Sequence, residues 1–197
     1  MNVTIEKIQQ VLDRKGFKFF DNHNSYNLNI IGVRSNSVMA NSFDDWLYLV
    51  FRDEEMAMQM HCFSITTDPG TYWLEHPMNV NGTAVLVPGQ YRGSHMLGKH
   101  RGKYDALVQA KPVKVYRDNN GDNVLDFSGP IEEGLFGLNI HRSSATGSSQ
   151  VVEKWSAGCQ VFQNVSEYNF FIETCKQAVA LYGNSFTYTL LEEKDFN

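Results

Sequence analysis

Two side chains in this sequence have the types and setting for chemistry. His141 closes the segment Gly137-Leu-Asn-Ile-His141, and Cys159 follows Ser156-Ala157-Gly158 and opens the run Gln160-Val-Phe162. A thiol attacks as its thiolate, so an imidazole that takes the proton, or holds it as an ion pair, turns a cysteine into a nucleophile. The small residues before Cys159 let the backbone turn sharply and aim the N–H groups of Gly158 and Cys159 at an oxyanion on an attacked carbonyl. Ser156 is placed to hydrogen bond at such a site. Taken singly, a cysteine reads as a small buried apolar residue and a histidine as a satisfied core residue; the two together carry the reading.

A second concentration of chemistry lies upstream. Arg92, His95, Lys99, His100, Arg101 and Lys103 fall on a glycine-rich stretch in an otherwise acidic chain. It reads equally as a plain solvated loop or as a loop over the site that recognises carboxylates, with Tyr91, Arg92 and His95 contacting substrate from this side and Trp155 and Arg142 from the other. Within the stretch, Gly93 to Lys99 satisfies part of a phosphate-loop pattern, but His100 stands where a magnesium-binding Ser or Thr belongs. Asp118 to Asp126 alternates acids and amides as calcium loops do, without the central Gly and terminal Glu. The Asn120-Gly121 pair makes it a β-hairpin turn between Val113–Arg117 and Asn123–Phe127. His61 and Cys62 are adjacent in a strand and point to opposite faces, and Cys175 lies on an apolar helix face, so neither builds a metal site. No metal and no cofactor are expected.

The elements that must position these residues are mostly strands. Thr4 caps a helix with Ile5, Ile8, Val11 and Leu12 on one stripe, ending at Gly16. Strand patterns follow at Asn27–Arg34, Trp46–Phe51, Met58–Ile65, Thr71–Leu74, Thr83–Val87, Tyr104–Gln109 and Val113–Phe127. One long helix is predicted from Glu167 to Tyr182, capped by Ser166 and closed by Gly183, then a last strand Phe186–Leu191. The fold class is mainly β with one long packing helix near the C-terminus. Residues 1–58 read as a helix and strands elaborating the domain, and 59–197 as its catalytic part.

With 197 residues, 42% of them hydrophobic and 13% aromatic, the chain can bury one sizeable core. A net charge of -5 argues against nucleic acid as a partner, since phosphate binding needs an excess of Lys and Arg. No run of eighteen apolar residues predicts a membrane span, and no basic-then-apolar leader predicts export. Three cysteines cannot form a complete disulfide framework, so at least one thiol is expected free.

The pattern around His141 and Cys159 resembles the L,D-transpeptidase (YkuD-like) catalytic domain. That family has a His at a strand end, a loop, then Ser-x-Gly-Cys. His141, Ser156, Gly158 and Cys159 match it, and Thr67-Asp68-Pro69-Gly70-Thr71-Tyr72 is similar to the family's upstream Thr-Pro-x-Gly segment. Arg142 stands where the family has Gly, Ala157 fills its variable position, and Gln160-Val161 replaces an apolar residue and an Arg. The likeness spans about Gln59 to Leu191. It implies a sandwich or barrel of strands, and a Cys159 thioester formed with a peptidoglycan stem peptide and resolved by an amine or water. It leaves joining and cutting both open. Without a leader, such a protein would be made in the cytoplasm and reach the wall by lysis or another non-classical route, as a phage product does. The rival is a non-catalytic binding or structural module, such as part of a phage particle, that keeps the fold.

Overall fold

The computed structural model describes residues 3–21 and 23–197. Helix α1 (Ile5–Arg14) opens the chain, its N-cap Thr4 hydroxyl accepting from the Lys7 N–H at 3.3 Å. Strands β1 (Asn29–Arg34), β2 (Asp45–Arg52) and β3 (Met58–Thr66) form an antiparallel meander. A single-turn helix α2 (Thr71–Glu75) leads to β4 (Thr83–Leu86), β5 (Gly89–His100), β6 (Tyr104–Gln109), β7 (Val113–Asp118), β8 (Glu132–Gly134) and β9 (Ile140–Arg142). After a 3₁₀ turn at Glu153–Trp155 come β10 (Gln160–Phe162), the long helix α3 (Val165–Tyr182) and β11 (Phe186–Glu192).

Eight strands close into a barrel in the order β1-β11-β5-β6-β9-β10-β3-β2, and β4, β7 and β8 form a separate sheet. The fold is mainly β, with one long helix near its C-terminal end. Side-chain alternation divides the apolar residues. Ile30, Leu49, Ile65, Leu107, Ile140, Phe162 and Leu190 share one core with the buried face of α3. Ile31, Val33, Tyr48 and Val50, from the opposite faces of β1 and β2, join a second core with Ile8, Val11 and Leu12 of α1. Strand β1 is therefore buried along its whole length. Both β1 and β2 are barrel staves, and the 58/59 boundary falls at the pairing of β2 with β3.

One interior region is polar. Arg34 is buried, with Nε 2.8 Å from Asp68 Oδ1, and the Thr67 N–H and hydroxyl donate to Asp45 Oδ2 at 2.6 and 2.8 Å. Burial raises the pKa of both carboxyls, and the charge of Asp68 raises that of Asp45 further.

Four predicted features differ. The glycine-rich stretch is not a loop but most of β5, a stave between β11 and β6. A Cβ at Gly98 would press on the Val108 side chain of β6, so glycine here permits strand packing rather than mobility. Residues Thr71 to Leu74 form helix rather than strand, because the turn docks on the Glu153–Trp155 segment, where a Cβ at Gly70 would overlap the Glu153 backbone. The Asn120-Gly121 turn exists, but its return arm does not pair with β7. Both edges of β7 are taken by β4 and β8, and the arm meets residues 38–40 instead. The cap of α3 is Asn164, whose Oδ1 accepts from the N–H groups of Ser166 and Glu167, not Ser166 as predicted.

Candidate active site

His141 sits on β9 and Cys159 immediately precedes β10. The two strands are parallel, with Ile140 opposite Gln160 and His141 opposite Val161. Ile140 and Phe162 point into the barrel core, so alternation puts His141, Val161 and Cys159 together on the outward face. The Cys159 thiol lies against the Gly137–Asn139 backbone: Sγ–H donates to the Gly137 carbonyl at 3.5 Å, and the Asn139 N–H favours the thiolate. No hydrogen bond joins Cys159 to His141 among the described residues.

Burial pushes the thiol up to about 11, partly offset by the Asn139 N–H and the Arg101 charge. Burial also pulls the imidazole of His141 down to about 3, with His100 adding to the effect. Both groups are therefore neutral at rest. The His141 Nδ1–H donates to the Arg142 carbonyl at 2.8 Å, which fixes the tautomer and leaves Nε2 bare as a proton acceptor. The His100 ring stacks on His141 at 4.0 Å with 25° between planes, and its Nδ1 accepts from the Asn139 side chain at 3.1 Å.

The turn before Cys159 is braced from inside. The Ser156 hydroxyl is fully buried; it donates to the Cys159 carbonyl at 2.8 Å and accepts from the Gly158 N–H at 3.1 Å. Ser156 thus positions the turn and does not meet a substrate. The Gly158 N–H is occupied by that bond, so of the two oxyanion donors read from the sequence only the Cys159 N–H has no partner among the described residues. Gly158 itself is required, because φ is +107° and a Cβ would overlap the Ala84 carbonyl oxygen. From beneath, Gln160 donates to the Gly158 carbonyl at 3.2 Å and accepts from the Tyr188 hydroxyl at 2.7 Å.

Of the residues expected to contact substrate, Arg142 and Trp155 line a cleft beside His141, together with His100, Arg101, Lys103 and Lys154. Tyr91, Arg92 and His95 do not. His95 is buried, bonded to Ser94 and the Leu138 carbonyl, and burial lowers it to about 4. Tyr91 donates to the Val87 carbonyl and Arg92 lies over the Phe20 ring, both beside a different depression. They separate because β5 is an extended strand whose far end, not its beginning, reaches the site. Tyr104, Asn139 and Lys154 had not been singled out. The available signal was position: Asn139 lies two residues before His141, and Tyr104 follows the basic turn.

Among the described residues no group of three or more His, Cys, Asp or Glu is placed to hold a metal, and no helix is long and apolar enough to cross a membrane. Comparison of the chain with family models, curated proteins and solved structures finds no match in any of the three.

Proposed function

We propose that this protein is a cysteine-dependent acyl transferase or peptidase of the L,D-transpeptidase type, acting on peptidoglycan stem peptides. The observation that carries the reading is the placement of Cys159 and His141 on one outward face of two parallel strands, with the His141 tautomer fixed and Nε2 bare. The motif spacing read from the sequence supports the substrate class.

In this scheme Nε2 of His141 takes the thiol proton as Sγ attacks the carbonyl carbon. The Cys159 N–H stabilises the oxyanion. As the C–N bond breaks, the leaving amine takes that proton from His141 and a thioester remains. An amine or water then attacks the thioester, giving its proton to His141, and the departing sulfur recovers it. Because thiol and imidazole rest neutral, proton transfer accompanies bond formation rather than preceding it. Delivery to the wall by lysis or another non-classical route belongs to the same proposal.

One observation favours the rival, a non-catalytic module: the thiol donates to Gly137 rather than His141. The test incubates wild type, Cys159→Ser and His141→Gln with a stem tetrapeptide ending in an L-D bond, then follows intact protein mass and peptide products. A thioester-sized adduct on wild type, with product formation lost in both variants, is the expected result. No adduct and no product in wild type would overturn the enzymatic reading and leave the module.

A further inference from the structure

The cleft beside His141 has an electrostatic composition unlike the rest of the molecule. The chain carries a net charge of -5, yet Arg101, Lys103, Arg142 and Lys154 all line this one cleft and no Asp or Glu does. Among the described residues none of the four forms an ion pair with a carboxylate. Two of them are held by aromatic faces: the Arg142 guanidinium lies 4.2 Å from the Tyr104 ring centroid and the Lys154 ammonium 4.0 Å from that of Tyr72. At about 360 Å³ the cleft has the size of a small-ligand site. Unpaired like charges converging on a concave surface repel one another until an anion enters.

We propose that this cleft is an anion subsite and that the acyl substrate of Cys159 carries at least two carboxylates on the part held there. The four cations come from three separate segments, the β5–β6 turn, β9 and the 3₁₀ turn. Four unpaired cations in one cleft can neutralise more than one anionic group, and carboxylates are the anions a peptide acyl substrate carries. The proposal deepens the acyl-transfer reading and rests on Cys159 as its reacting group.

The test alkylates the intact protein with iodoacetate, an anion, and with iodoacetamide, its neutral counterpart, and quantifies each cysteine by peptide mass. The ratio of the two rates cancels the thiolate fraction, and exposed Cys62 serves as an internal control. At low salt the ratio at Cys159 is expected to exceed that at Cys62 by about tenfold. It should fall to the Cys62 value in about 0.5 M salt, and at low salt in Arg101→Gln/Lys103→Gln. A tricarboxylate such as citrate should protect Cys159 from iodoacetamide better than pyrophosphate does. Equal ratios at the two cysteines, or a salt-insensitive ratio, would overturn the subsite; superior protection by pyrophosphate would overturn its carboxylate assignment. A high ratio without turnover faults the acyl-transfer reading and leaves the subsite standing.

Discussion

Gln160 and Val161 depart from the motif of the proposed enzyme class, and their side-chain directions suit this fold. Gln160 points inward to Tyr188 and the Gly158 carbonyl, within a buried polar group that an apolar residue would leave unpaired. Val161 shares the outward face with Cys159 but is fully buried, so an Arg there would lose its hydration; the charge that acts on the Cys159 thiol is that of Arg101. Type and local spacing mark His141, Cys159, Arg142 and Trp155 in the sequence, and the fold brings His141, Arg142 and Trp155 to one cleft. The role of Ser156 was not, since only the fold shows its hydroxyl turned inward. Gly158→Ala forces an L-residue to φ +107° against the Ala84 carbonyl. It should lower stability by about 1–3 kcal/mol from backbone strain alone and displace Cys159. Urea unfolding reads the first effect and peptide turnover the second.

At the level of elements, periodicity found most of what was long enough to have a period, with the twelve-residue β5 as the exception. The helix α3 and strands β1, β2, β3, β6 and β11 all carry their apolar face in the sequence. Strands β9 and β10 hold the candidate site yet have three residues each, too few for alternation to declare itself; only the barrel shows that they pair. Strand β5 hid behind its glycines and histidines because its neighbours, not its own residues, make it extended. The Asn164 cap couples α3 to the site region, since Asn164 lies two residues after Phe162, the last residue of β10, and its side chain also donates to the Ser148 hydroxyl at 2.8 Å. Asn164→Ala should reduce stability by about 1 kcal/mol. Thermal melting checks this, and an unchanged melting temperature would mean that the two N–H groups find other partners.

The molecule as a whole buries neutral histidines, which ties its stability to pH. Below the ordinary imidazole value of 6.5 the unfolded chain takes up protons that folded His141, lowered to about 3, and His95, lowered to about 4, refuse. Their contribution is complete above pH 6.5 and drains away as pH falls toward those values, at about 1.4 kcal/mol per pH unit for each ring. Asp45 and Asp68, raised in the fold, act in the opposite sense. Replacing His141 by Gln isolates one contribution: between pH 6 and 4 the decline in urea-derived stability should flatten by about 1.4 kcal/mol per unit. An unchanged slope would mean that folded His141 protonates normally.

The closing seam of the barrel sets β1 beside β11, strands from opposite ends of the sequence. During synthesis β1 has β2 on one side and nothing on the other until Phe186–Glu192 has left the ribosome, and β5 also waits for the same strand. Contacts between such distant segments form late and slowly, and an unpaired edge invites pairing with other chains. A chain broken off before Phe186 is therefore not a weakened version of the protein. It is an open sheet with two bare edges, fit for chaperones and proteases.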